Sequence, residues 1–129
     1  MLNKRPYQIK NFLSEQVLAA DADVEAMADF EGMIAITFCL ETTYATVDPD
    51  ATGVSVTVYP GFNKPGTAGI VYADNGTVIP GSVDPVSNGE TRRFAFALDL
   101  SIYGQFAKIV IQNSSAVNPI SAVTLYGVS

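Results

Sequence analysis

The chain has 129 residues, a formal net charge of −6 and no histidine, and 48% of its residues are hydrophobic while only 16% are charged. This composition excludes a disordered chain, and the length fits one domain. The acidic balance argues against nucleic acid or an anionic membrane as a partner, and the sequence has no apolar run of about 18 residues that would span a bilayer.

The first 14 residues are the least strand-like part of the sequence and are predicted to form an extended, basic N-terminal arm, interrupted by Pro6. The stretch from Asn11 to Asn63 holds nine acidic residues and no Lys or Arg. A basic arm joined to an acidic body favours docking of the arm onto a neighbouring subunit, as an added edge strand. The arm residues expected to make this contact are Lys4, Arg5, Tyr7, Ile9, Lys10 and Phe12.

Residues 14–31 combine alanines with acids, so that both a helix and two strands fit them. A weak helical stripe is present, but the apolar residues from Val24 to Phe30 fall largely at every second position, with acids between them. Alternation at period two is typical of a strand with one buried face. The sequence therefore favours two short strands, at about residues 15–19 and 23–28, with a helix as the alternative.

Further strands are predicted by the same alternation of apolar and polar residues. The stretches that show it are MIAITFCLETTY (33–44), GVSVTVYP (53–60) and RRFAFALDL (92–100), with shorter runs at 68–74, 76–81, 107–113 and 122–128. Asn75-Gly76 lies between two apolar runs and predicts a tight hairpin, and Asn88-Gly89 predicts a turn before the strand at 92–100.

About eight strands in one small domain predict an all-β fold, namely an antiparallel β-sandwich of the jelly-roll type or a related one. The prolines at strand ends and in loops agree with this arrangement, because a proline cannot donate to a sheet ladder. The sandwich domain is predicted to span residues 15–129, after the arm at residues 1–14.

The alternating acids at residues 21–25 raise the question of a cation site. A calcium loop of the EF-hand type needs Gly at its sixth position and Glu at its twelfth, but counting from Asp21 these positions hold Ala26 and Gly32. No specific metal and no cofactor are therefore expected, and the acids are interpreted as a solvated face. The weak metal candidates are Asp21, Asp23, Asp48 and Asp50.

The residue types that usually carry catalysis are missing or poorly placed. Without histidine the chain has no Ser-His or Cys-His pair and lacks the commonest general base. Its single cysteine, Cys39, lies among apolar residues in a predicted strand and is interpreted as a small hydrophobe. No phosphate-binding loop or dinucleotide fingerprint occurs, so the chain is predicted not to be an enzyme.

Aromatic residues at strand ends and in loops are candidates for ligand contact. A ring in such a place can stack on a pyranose, or it can close the end of the sandwich, and the absence of tryptophan lowers the first possibility. The residues concerned are Tyr59, Phe62, Tyr72 and Tyr103.

Four motifs follow one another in a characteristic order: DFEGMIAITFCLET, GVSVTVYPGFN, TRRFAFALDLSIYGQFAKIVIQNSS and a closing SAVTLYGVS. In this pattern, which covers roughly residues 15–129, the chain resembles the small jelly-roll proteins of tailed-bacteriophage virions. Sugar-binding and discoidin-like sandwiches share these motifs, and the basic arm is not part of the general pattern.

The resemblance implies a role in the virion, most often as a capsid decoration (cement) protein, or as a tail or fibre component, with no catalytic residues. It implies the major capsid protein or other virion subunits as partners, and a homo-oligomer, with a trimer favoured. The protein is then expected in the virion after synthesis in the host cytoplasm. The alternative is a carbohydrate-binding or receptor-binding module.

Overall fold

The computed structural model describes residues 9–30, 35–46, 53–66, 68–79, 89–99 and 105–128. These residues form nine β-strands and no helix. The strands are β1 (Ile9–Leu18), β2 (Asp23–Asp29), β3 (Ala35–Tyr44), β4 (Val54–Asn63), β5 (Ile70–Tyr72), β6 (Thr77–Val78), β7 (Thr91–Asp99), β8 (Phe106–Asn113) and β9 (Ile120–Val128). Within this part of the chain, no helix is long and apolar enough to cross a membrane.

The strands form two antiparallel sheets that enclose one core, which confirms the predicted all-β sandwich. Sheet A has the order β1-β9-β3-β7, and sheet B has the order β2-β8-β4-β5, with β6 also paired to β4. The pairing is nested: β1 pairs with β9, β2 with β8, β3 with β7, and β4 with both β5 and β6. Two further pairings, β3 with β9 and β4 with β8, complete the sheets.

The inward-facing residues of both sheets pack as the alternation predicts. On β3 and β8, and on β4 as far as Val58, every second side chain is buried. Phenylalanine rings join the two sheets around Phe38, whose ring centroid lies 5.1 Å from that of Phe12, 6.1 Å from that of Phe30 and 5.0 Å from that of Phe96. Aromatic pairs of this geometry add about 0.5–1.5 kcal/mol each beyond the area they bury.

The ambiguous stretch at residues 14–31 contains strands, so the helical alternative is wrong for its described part. On β2 the buried side chains of Ala26 and Ala28 alternate with exposed acids, and the backbone pairs with β8 from Asp23 opposite Gln112 onward. Between β1 and β2 the chain turns at Asp21, which has a φ of 56° and donates its backbone N–H to the Ser115 carbonyl at 2.8 Å.

Strand structure begins inside the predicted N-terminal arm. Residues 9–14 are the first part of β1, which pairs with β9 at the edge of sheet A, so the strand starts ahead of the predicted boundary at residue 14. The physical reason is Phe12, whose ring packs against the core while its neighbour Asn11 stays exposed. Residues 1–8, with Lys4, Arg5 and Tyr7, lie outside the described residues.

The hairpin predicted at Asn75-Gly76 is wrong. Strands β5 and β6 pair with successive parts of β4 and not with each other. Two further backbone hydrogen bonds attach the segment to β4, one just after β5 and one just after β6. Ala73 N–H donates to the Pro60 carbonyl and Ile79 N–H donates to the Val56 carbonyl, each at 2.9 Å. The edge of β4 is thus long enough to pair with both β5 and β6. In contrast, Gly89 has the expected left-handed φ of 76°.

A buried polar network joins the two sheets at one end. The Asn113 side chain, at the end of β8, accepts from Tyr44 Oη at 2.8 Å and from Ser115 N–H at 3.1 Å. Its amide nitrogen donates to the carbonyls of Leu18, Ala19 and Asn118 at 2.9–3.4 Å. One fully buried side chain therefore connects β1, β3, β8 and the loop before β9.

Candidate ligand-binding face

The outer face of sheet B brings together side chains from four strands. Its register places Met27 of β2 opposite Lys108 of β8, and Lys108 opposite Tyr59 of β4. One row further along, Tyr72 of β5 lies opposite Gly61 of β4. Met27, Tyr59 and Lys108 point outward because Ala26, Val58 and Ala107 beside them are buried. Gly61 lies two residues beyond Tyr59, so Tyr72 opposite it lies on the same face.

Two tyrosine rings converge on one ammonium group at the centre of this face. Lys108 Nζ lies 4.8 Å from the centroid of the Tyr59 ring and 5.5 Å from that of the Tyr72 ring. Both distances fall within the range of a cation–π interaction. We call these three residues the Tyr59–Lys108–Tyr72 cluster, and all three side chains are half-buried.

Two glycines allow the rings of the cluster to lie against the sheet. A Cβ atom on Gly61 would come within 2.8 Å of Tyr72 Cε1, and one on Gly76 would come within 2.8 Å of Tyr59 Cε1. Any other residue at either position would therefore displace a ring. The Asn75-Gly76 step thus provides space for Tyr59 and makes no hairpin.

The charge around the cluster is uneven. On β2 the exposed acids Asp23, Glu25 and Asp29 point to this same face, and Met27 occupies the remaining outward position of the strand. Among the residues that the structure describes, no carboxylate lies within ion-pair distance of Lys108. The face therefore has one cation beside two rings, with an acidic border along β2.

The structure brings together two of the four aromatic residues predicted from the sequence. Phe62 is 58% exposed, but it lies opposite Val71 in the register, on the other side of the sheet from Gly61 and Tyr72. Tyr103 lies outside the described residues. Lys108 was missed, although it occupies an outward position of the AKIVIQN run, because the sequence does not reveal which strand lies beside β8.

The described arm residues mostly contact their own domain. Lys10 Nζ donates to the Asp29 carbonyl at 3.0 Å and lies 5.6 Å from the centroid of the Phe12 ring, which itself packs on the core. Ile9 differs, because it is 76% exposed at the edge of sheet A. Phe12 thus packs on the core of its own domain, and its predicted contact with a partner stays a prediction.

The candidate metal residues are not assembled into a site where the structure describes them. Asp21 lies in the turn before β2, and Asp23 is an exposed residue at the start of that strand. The described residues include no group of three Cys, Asp or Glu side chains that could hold an ion. Asp48 and Asp50 lie outside the described residues.

A second polar cluster lies on the outer face of sheet A. Arg93 Nε donates to Glu41 Oε1 at 2.9 Å, and Tyr126 Oη donates to the same oxygen at 3.0 Å. Interaction with the Cys39 thiol and then with Glu41 raises the pKa of Tyr126 to about 12. The cluster links β3, β7 and β9.

Comparison with known proteins gives neither a family nor a relative: no family model matches the chain, and no curated protein matches it.

Proposed function

We propose that the protein is a non-enzymatic structural subunit of a tailed-bacteriophage virion, with the role of a capsid decoration (cement) protein. The observation that carries the proposal is the nested pairing of strands, first with last and second with next to last. With β5 and β6 counted as one interrupted strand, this pairing is typical of an eight-stranded jelly roll, which viral capsid and lectin domains use. The resemblance of residues 15–129 to small virion proteins favours the capsid role.

Exposed apolar side chains support an assembly role. Large apolar residues are exposed on several strands and in one loop: Ile9, Val17, Met27, Val71, Val78 and Val117. Surfaces of this kind are commonly covered by a neighbouring subunit. The partners that we propose are the major capsid protein and further copies of this chain, with a trimer as the arrangement.

The N-terminal segment is proposed as the anchor to the shell. It is basic at Lys4 and Arg5, and β1, to which it leads, lies at an edge of sheet A. The anchor is confined to residues 1–8, because Lys10 and Phe12 already contact their own domain. An edge strand extended by a basic segment suits docking on an acidic neighbour.

Binding to capsids tests this proposal. Full-length protein is added to shells of the phage that encodes it, assembled without the chain, and bound protein is measured by co-sedimentation. We expect saturable binding, with deletion of residues 1–8 weakening it by about tenfold or more. The control Arg92→Gln removes one exposed positive charge from β7 and should bind as the full-length protein does.

The two parts of the proposal fail separately. If the full-length protein does not bind shells, and purified particles lack it, the decoration role is wrong. If the deletion variant binds with full affinity, the role stands and the anchor lies elsewhere.

A second candidate function is binding of carbohydrate, as a receptor-binding or carbohydrate-binding module. The observation that favours it is the Tyr59–Lys108–Tyr72 cluster, in which two rings and a cation share one open sheet face. Tyrosine rings give an apolar surface for sugar stacking and hydroxyl groups for hydrogen bonds. Both functions are compatible with one protein on a virion surface.

A further inference from the structure

We propose that the Tyr59–Lys108–Tyr72 cluster binds a sugar unit that carries a single carboxylate, such as a uronic or sialic acid at the end of an otherwise neutral glycan. The inference rests on the second candidate function above and adds the charge of the ligand to it. Three features of the face carry the inference: the spacing of its rings, the ammonium group of Lys108, which has no carboxylate partner among the described residues, and the acidic border along β2.

The rings provide a platform of suitable size. Tyr59 lies on β4, and Tyr72 lies opposite Gly61, two residues further along the same strand. Two residues of a strand span about 7 Å, so the rings lie under neighbouring parts of one small ligand. Because Gly61 and Gly76 leave room beneath the rings, both tyrosines are held against the sheet in the free protein. A platform fixed in advance loses little side-chain entropy on binding.

The ammonium group of Lys108 supplies the preference for a carboxylate. Lys10 donates to the Asp29 carbonyl and Arg93 pairs with Glu41, so both of these cations are satisfied within the chain. Lys108 Nζ has only ring faces as partners among the described residues, although an ammonium group carries three donors. A carboxylate placed between the rings would accept charge-assisted hydrogen bonds, which are stronger than bonds to neutral hydroxyls.

The acids on β2 limit the ligand to one charge. Asp23, Glu25 and Asp29 line the same face, and the whole chain carries a net charge of −6. A polyanion that crossed this face would meet like charges and be repelled. The face therefore fits a single acidic sugar at Lys108, followed by neutral units, and it does not fit a nucleic acid or a highly sulfated polysaccharide.

Matched pairs of sugars test the inference. The first pair is sialyllactose and lactose, and the second is the methyl glycoside of galacturonic acid, which carries one carboxylate, and its methyl ester, which has the same ring without the charge. Dissociation constants are measured by NMR titration, with the ring resonances of Tyr59 and Tyr72 as local probes. We expect the acidic member of at least one pair to bind about tenfold or more tightly than its neutral partner, and added salt to reduce this difference.

Variants then assign the preference to Lys108. Lys108→Gln should weaken binding of the acid to the level at which the same variant binds the neutral sugar, so that the preference is lost. Gly61→Ala, which displaces the Tyr72 ring, should weaken binding of both members. Phe62→Ala removes an exposed ring from the other side of sheet B and is the matched control without effect.

Each outcome decides one claim. If neutral and acidic sugars bind equally, or if Lys108→Gln keeps the preference, the inference is overturned while carbohydrate binding survives. If neither member of either pair moves the tyrosine resonances of the folded protein, both the inference and the second candidate function fail. The proposed decoration role is unaffected by either result.

Discussion

The fully buried side chain of Asn113 uses all of its hydrogen-bonding groups, with five partners on two strands and in two connecting segments. Asn113→Ala would leave Tyr44 Oη and several backbone groups buried without partners. We expect this variant to lower the free energy of unfolding by about 3 kcal/mol, measured by urea denaturation.

Asn63→Ala, at the exposed end of β4, is the matched control and should change the free energy of unfolding by less than about 0.5 kcal/mol. A loss at Asn113 as small as the control's would show that water replaces the network, and that Asn113 does not hold the two sheets together.

At the level of residues, the sequence identified side chains whose local position marks them as accessible. It did not identify side chains whose role depends on partners far away along the chain. Tyr59 and Tyr72 were identified from their positions at strand ends. Asn113 was missed because Tyr44 and Leu18 are 69 and 95 residues away along the chain. The packing of Phe12 on its own core could not be predicted, because a basic, apolar segment has the same sequence pattern whether its ring points to a partner or to its own core.

At the level of elements, strand β1 depends on close packing against β9. A Cβ atom on Gly127 would lie 2.7 Å from Ile36 Cδ1 and 2.9 Å from Phe12 Cε2. Gly127→Ala should therefore push the edge of sheet A apart and lower the free energy of unfolding by about 1–3 kcal/mol in urea denaturation.

The double variant Ile36→Val with Gly127→Ala isolates this contact, because valine lacks the Cδ1 atom that the new methyl group would meet. We expect it to be more stable than the sum of the two single changes implies. Strict additivity would show that Gly127 is required for another reason.

Element positions could be predicted well where alternation is strong, as at β3, β4 and β7. The partners of these strands could not, because β3 pairs with two strands that follow it by about 50 and 80 residues. The error at Asn75-Gly76 has the same origin. Local turn chemistry favours a hairpin there, but hydrogen bonds to the long edge of β4 outweigh that preference.

At the level of the whole molecule, stability should depend on alkaline pH. Burial raises the pKa of Tyr44 from 10.0 to about 12, and the pKa of Tyr126 is raised to about 12 as well. The unfolded chain then loses these protons first, so the contribution to stability is complete below pH 10 and is lost as the pH rises toward 12. Tyr44 alone should account for about 1–3 kcal/mol of this loss.

Urea denaturation at pH 8, 10 and 11 measures this dependence. Tyr44→Phe should start from a lower stability, because it loses the bond to Asn113, and should then decline less steeply. The non-titrating control Asn63→Ala should decline as the unchanged protein does. Equal slopes for all three proteins would mean that Tyr44 ionises without penalty in the fold.

Nested pairing also sets an order of events during synthesis. Strand β1 leaves the ribosome long before its partner β9, because Leu18 pairs with Ile120 and Ile9 pairs with Val128. At ~5–20 residues per second, the wait between them is roughly 5–20 s. For all of that time the backbone of β1 and the ring of Phe12 lack their final neighbours. The nascent sheet A is therefore most exposed to misassociation at β1, and it closes only when β9 arrives.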